Sequence, residues 1–251
     1  MSLESDLRFA HRLADAADAV TLARFRALDL RVERKPDLTP VSDADRAAEE
    51  TVRRLIASSG RSEGVFGEEG GDDGGESRWI VDPIDGTTSY VRGVPIWATL
   101  LALEREGTTH VAVASAPALG RRWWAIRGGG AFVDGTRCTV SAVERIEDCA
   151  VSCTSARRMP DGWRTIVARA WSNRGLGDFW QHCLVAEGSL DVACDGAYMQ
   201  VWDYVPVQLI VEEARGRCST FDSDDPFPGC SFVTTNGLLH DEVVALLSRE
   251  R

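Results

Sequence analysis

The apolar, strand-like run Trp79-Ile80-Val81 leads directly into Asp82-Pro83-Ile84-Asp85-Gly86-Thr87-Thr88, and no other stretch constrains the chain so tightly. It delivers two carboxylates, three positions apart, into a turn that Pro83 and Gly86 enforce. Pro83 fixes its own φ and removes a backbone donor, while Gly86 permits a conformation other residues resist. Paired hard oxygen ligands on a rigid turn suit Mg²⁺, which takes one or two carboxylates together with phosphate oxygens. The hydroxyls and amides of Gly86, Thr87 and Thr88 follow at once, where a phosphate can be cradled. The stretch points to metal-assisted phosphate chemistry.

Around it the chain alternates helical and extended patterns. Leu7, Ala10, Leu13, Ala14, Ala17 and Val20 form a helical stripe over residues 6–27. Ser42 with Asp45 has capping-box spacing, predicting a helix that runs through Ile56 and stops at Gly60. Asp43 then lies in its first turn, where the helix dipole favours an ionised carboxylate. Val65-Phe66 reads as a short strand ending at Gly67-Glu68-Glu69, and Gly70 to Glu76 as a loop. Hairpins are expected about Glu106-Gly107 and about Gly128-Gly129-Gly130, with Trp123 and Trp124 on opposite faces of a strand. The first half is therefore two helices against a largely antiparallel sheet.

Beyond it, strands are expected at Cys149–Cys153, Leu190–Cys194 and Phe232–Thr234. Helices are expected from Asp178, as the cap, to Glu187, from about Asp203 to Ala214, and from about Leu239. A boundary near residue 147 divides residues 1–146, a metal- and phosphate-binding α+β unit, from 147–251, an α/β unit that selects substrate.

Composition removes competing classes. The formal charge of −11 argues against a nucleic-acid surface. No run of about 18 apolar residues is present, so no membrane span is expected. The acidic start Met1-Ser2-Leu3-Glu4-Ser5-Asp6 lacks a signal peptide's basic and apolar regions, and the seven cysteines form no CxxC pair, which together suit a cytoplasmic protein. The four histidines follow no HxxxH or HExxH pattern and are read as core or surface residues, with His182 on the second-half helix the one exception kept. Of the 28 basic residues Lys35 alone is lysine, a hint of a role at the site.

Four segments bring acids to element termini: Asp43, Glu68, the pair Asp82 and Asp85, and Asp203. Converging carboxylates repel one another unless cations intervene, and two metal ions about 3.5–4 Å apart would make the convergence favourable. In their order and spacing Gly67-Glu68-Glu69, Trp79 to Thr88, and Trp202-Asp203 resemble the inositol monophosphatase superfamily of Mg²⁺-dependent, lithium-sensitive phosphatases. Lys35 to Asp43, Ser115 to Leu119, Arg121 to Trp124, Leu184 to Gly188 and Thr235 to Glu242 are similar to its actinobacterial histidinol-phosphatase branch.

The resemblance implies a layered α/β/α/β/α sandwich of the inositol monophosphatase and fructose-1,6-bisphosphatase type, usually a homodimer. It implies two to three Mg²⁺ ions: a first on Glu68, Asp82 and the Ile84 carbonyl, a second on Asp82, Asp85 and Asp203, and a weaker third helped by Glu68. A water oriented by Glu68 and by Thr87, whose hydroxyl leans on Asp43, would attack in line without a phosphoenzyme. The amides of Gly86 and Thr87 would hold the phosphate, with Thr88, Lys35, Asp178, Asp195 and Asp203 further phosphate or substrate contacts. The branch usually continues Asp-Gly-Thr with Lys-Asn-Phe or Lys-Asn-Tyr. Here Thr88-Ser89-Tyr90 stands instead, one positive charge fewer. The branch's acidic residue before Trp-Asp aligns with Gly196, one position after Asp195.

Histidinol phosphate is thus the leading expected substrate. An (amino)nucleoside monophosphate or amino-sugar phosphate of specialised metabolism and an inositol phosphate are the alternatives. A metal-binding regulator on the same fold is the non-enzymatic one.

Overall fold

The computed structural model describes residues 2–36 and 38–248. Met1 of the N-terminal segment and Asp37 of the Lys35–Asp43 motif lie outside the described residues. Helix α1 (Leu3–Arg24) is followed by a two-stranded ribbon, β1 (Val32–Arg34) with β2 (Pro40–Ser42), and by α2 (Asp43–Ser58). The capping box at Ser42 and Asp45 forms as the spacing predicts. Then come β3 (Gly64–Gly67), β4 (Gly71–Asp72), β5 (Ser77–Asp85), the short α3 (Thr87–Val91), and the meander β6 (Ala98–Arg105), β7 (Thr108–Ala116), β8 (Arg121–Ile126), β9 (Gly130–Val133) and β10 (Thr136–Cys138). These strands form one eight-stranded sheet in the order β10-β9-β8-β7-β6-β5-β3-β4, antiparallel except where β3 lies parallel to β5. The expected loop over 70–76 in fact opens with β4, because Phe66 pairs with Asp72 and Gly67 with Gly71.

The second half runs β11 (Ala150–Cys153), α4 (Asp161–Arg169), β12 (Ser172–Arg174), α5 (Asp178–Ala186), β13 (Val192–Met199), α6 (Val201–Glu213), β14 (Arg217–Ser219), β15 (Cys230–Thr235) and α7 (His240–Leu247). Its sheet has the mixed order β12-β11-β13-β15-β14. Gly177, not Asp178, caps α5. Pro206 lies inside α6, at its sixth residue and beyond the first turn, so its missing N–H removes one intrahelical bond.

Alternation along β6 and β7 sets the layers. Leu101, Leu103, Val111 and Val113 face α1 and α2, packing with Leu13, Ala17, Val52, Ile56 and Trp79. Their neighbours Ala98, Leu100, Ala112 and Ala114 face the other way, onto Phe179 and Cys183 of α5 and Val207, Ile210 and Val211 of α6. Those two helices also cover the second sheet through Ala193 and Phe232, and α4 and α7 close its far face with Trp163, Ile166, Val243 and Leu247. The result is the α/β/α/β/α sandwich, with α5 and α6 between the sheets. Trp123 is buried there, while Trp124 on the opposite face is half-buried and stacks on Phe132. Among the described residues no helix is long and apolar enough to cross a membrane.

Candidate active site

The site forms where β5 runs into α3. Pro83 interrupts the β5–β6 ladder, and the register shifts between Asp82 and Asp85. An oxygen of Asp82 accepts the Ile84 N–H at 2.9 Å, tightening the turn. Gly86 then takes φ 82°, and a Cβ there would meet the Ile96 carbonyl at 3.0 Å and an Asp178 carboxylate oxygen at 3.2 Å. Only glycine serves at this corner. The first amides of α3, which begin at this corner, have no intrahelical acceptor.

Asp203 arrives from the start of α6, where its carboxylate accepts the Gln200 N–H at 2.7 Å. Asp85 is held by the Phe179 N–H, 2.6 Å away at the start of α5. Oxygens of Asp82, Asp85 and Asp203 come within 4.8 Å of one another. Burial, followed by the charges of Glu68, Asp85 and Asp203, pushes Asp82 well above the carboxylate range. Burial, then Asp178 and Asp203, does the same to Asp85. Burial raises Asp203 to about 8, with Glu68 adding to it against the Gln200 hydrogen bond. Hard, buried, mutually repelling oxygens of this kind fit a divalent cation, whose charge would favour their ionised form.

Unfolded, such carboxyls titrate near 3.8, so between there and about 8 the folded state keeps protons that the unfolded chain has lost. Stability of the metal-free protein should therefore fall as pH rises through that window. Melting of chelator-treated protein at pH about 5 and about 8.5 checks this, and Mg²⁺ should recover most of the loss at the higher pH. A metal-free melting temperature that rises with pH would contradict it.

Glu68 lies beside this cluster at the end of β3, its N–H donating to the Val81 carbonyl at 3.1 Å. Lys35, expected at the phosphate, pairs with Glu68 at 2.6 Å and with Glu69 at 2.5 Å. Burial alone would lower its pKa, but the two carboxylates outweigh that and hold the ammonium above its ordinary range. Lys35 is the counter-charge of the Glu68–Glu69 corner.

The expected Thr87–Asp43 contact is not formed. Asp43 turns toward α1 and pairs with Arg24 at 2.9 Å. The Thr87 hydroxyl lies 3.2 Å from Asp45 and 2.9 Å from the Ile84 carbonyl, able to donate to either. Asp45 has the inward position because, three residues into α2 from the cap, it also accepts from the Ser42 backbone at 2.8 Å. The capping-box spacing from Ser42 is the sequence signal for this position, two residues along from Asp43. Glu49, one turn further along α2, had no such signal. Its carboxylate fills the space a side chain at Gly67 would need and accepts the N–H groups of Glu69 and Gly70 at 2.7 and 2.8 Å, holding the Glu68 loop in place.

Beside the cluster a cavity of about 160 Å³ is lined by Asp85, Asp178, Asp195 and Asp203 together with Arg158 and Tyr198. Burial, with the charge of Asp195, raises Asp178 to about 6. Asp195 is buried and accepts from Gln181 at 2.8 Å, with His182 Nε2 at 2.9 Å. His182 thus serves the cavity wall. Gly196 can carry no side chain, since its Cβ would fall 2.0 Å from the Arg158 carbonyl. Thr88 is exposed on α3.

A layered sandwich with convergent carboxylates at a strand-to-helix corner defines the class of metal-dependent phosphatases. A match to the inositol monophosphatase family covers residues 2–250, and the chain belongs to that family. It is 47% identical to a histidinol-phosphatase of Mycobacterium tuberculosis, over 97% of this chain and 98% of that one. It is 45% identical to a histidinol-phosphatase of Streptomyces coelicolor, over 97% of each. The Thermotoga maritima IMPase superposes with a TM-score of 0.89 at 29% identity, covering 97% of this chain and 96% of its own. The protein is a hydrolase of small-molecule phosphate monoesters.

Proposed function

We propose that the chain is a Mg²⁺-dependent histidinol-phosphatase, with the phosphate placed between the Asp82–Asp85–Asp203 cluster and the amides of Gly86 and Thr87. The observation that carries this reading is the meeting of those three carboxylates within 4.8 Å at a glycine-opened helix start. The names of the two relatives at 47% and 45% identity supply the substrate.

Two to three ions would be held, by Glu68, Asp82 and the Ile84 carbonyl, by Asp82, Asp85 and Asp203, and more weakly with Glu68. Bound there, Mg²⁺ neutralises phosphate charge and lowers the pKa of water toward neutrality. The chain's own groups do the rest. Glu68 and Thr87 orient the attacking water, and Asp45 fixes the Thr87 hydroxyl. The α3 amides take the negative charge that builds on the phosphate oxygens. Asp178 and Asp195 face the leaving group and favour one that carries a positive charge.

Phosphate release with Mg²⁺ from histidinol phosphate, inositol phosphates, nucleoside monophosphates and an aryl phosphate tests the reading. Histidinol phosphate should give the highest kcat/KM. No turnover of any ester at any Mg²⁺ concentration would overturn the phosphatase, and a better nucleotide or inositol ester would overturn the substrate.

A further inference from the structure

The cavity mouth carries a feature that the metal cluster does not need. Tyr198 has φ +73°, a left-handed conformation that is rare for a bulky aromatic residue, and the residue is 69% exposed. It lies in the irregular stretch of β13 between Asp195 and Met199, where pairing with β15 breaks register. Backbone bonds clamp that stretch: the Tyr198 N–H donates to the Gly229 carbonyl at 3.3 Å, and the Gly229 N–H to the Met199 carbonyl at 2.6 Å. A strained residue held from both sides at a ligand cavity marks a place where geometry has been kept at the expense of local stability.

Arg158 supplies the second part. It ends a 3₁₀ turn, Ala156–Arg158, and its guanidinium carbon sits 5.1 Å from the Tyr198 ring centroid. Four carboxylates line the same cavity, yet among the described residues Arg158 forms an ion pair with none of them. The bare Cα of Gly196 lets the Arg158 carbonyl close onto β13 and seats the pair. One face of the Tyr198 ring is thus backed by a flat cation, while much of the ring remains open to solvent at the cavity.

We propose that Tyr198, backed by Arg158, is a stacking platform that selects phosphate monoesters whose leaving group carries a flat heteroaromatic ring. The class includes imidazole- and nucleobase-bearing esters and excludes ring-less polyol and aminoalkyl phosphates. A π-face on a rigid, already ordered side chain gives affinity without a fixed hydrogen-bond pattern, so the platform recognises flatness, and the carboxylates of Asp178 and Asp195 add a preference for a positively charged group. The inference rests on the phosphatase reading and deepens it.

The test compares kcat and KM of wild type, Tyr198→Leu, Tyr198→Phe and Arg158→Gln with Mg²⁺. The substrates are histidinol phosphate and a nucleoside monophosphate, against ring-less phosphoethanolamine and glycerol 2-phosphate. Tyr198→Leu should raise KM for the ring-bearing esters about tenfold, leave their kcat within about twofold, and leave the ring-less esters unchanged. Tyr198→Phe should behave as wild type, because the ring and not the hydroxyl is used, and Arg158→Gln should fall between. Calorimetric binding of the alcohol histidinol should weaken in parallel. Equal losses on all four esters, or none on the ring-bearing ones, would overturn the platform while leaving the phosphatase standing. Absence of turnover on every ester by wild type would remove both.

Discussion

Asp82→Asn should yield a folded protein whose phosphate release is lower by on the order of a thousandfold. Asp82 is nearly fully buried near the end of β5, and its oxygen already accepts the Ile84 N–H. Asparagine keeps that acceptor and the shape of the turn, but removes the charge shared by the ions proposed at Glu68, Ile84, Asp85 and Asp203. Two consequences separate this from simple misfolding. The metal-free variant should melt higher than wild type at neutral pH, because one of the mutually repelling buried groups is gone. The upward shift that Mg²⁺ gives the wild type should shrink, since a ligand stabilises only as far as it binds the folded state. Turnover near wild type would refute the metal assignment outright.

Asp45→Asn should lower kcat by about a hundredfold with little change in KM, whereas Asp43→Asn should stay within about twofold of wild type. The physical distinction is the direction of one hydrogen bond. The Asp45 carboxylate accepts from the Ser42 backbone and hydroxyl and from Thr87. An asparagine must keep its oxygen toward Ser42 to preserve the helix cap, so its NH₂ faces Thr87 and cannot accept from it. Thr87→Val, which deletes only the hydroxyl, should match Asp45→Asn in kcat, and the two together should lose little more than either alone. Steady-state kinetics on the preferred ester decide the matter. An Asp43 variant as impaired as the Asp45 variant would return the role to Asp43.

Much of the architecture was legible because it rests on local rules. Leu7 to Val20 recur at helical spacing, Ser42 and Asp45 form a capping box, and the hairpins at Glu106-Gly107 and Gly128–Gly130 follow turn chemistry. The elements not foreseen are those without such a pattern. Helix α4 fully buries only Trp163 and Ile166, too few to set a period. Strand β12, Ser172-Asn173-Arg174, is a polar edge that exists because β11 lies beside it. Strand β4 is two exposed residues paired to β3.

In the site, the sequence alone determined the chemical species. Asp82, Pro83, Asp85, Gly86 and Thr87 are adjacent in the chain, so the turn that joins carboxylates to helix amides follows from their backbone preferences. Tertiary structure decided which distant groups meet it. Asp43 and Asp45 are both acids in the first turn of one helix, and rotation about its axis, set by Ala44, Ala48 and Val52 packing inward, sends one to Thr87 and the other to Arg24. Lys35 reads as an isolated cation until the β1–β2 ribbon brings it to Glu68 and Glu69. The Tyr198–Arg158 pair joins residues 40 positions apart, through a register shift that no local pattern encodes. Bonding between neighbours is written in the chain, whereas meetings across layers depend on how whole faces pack.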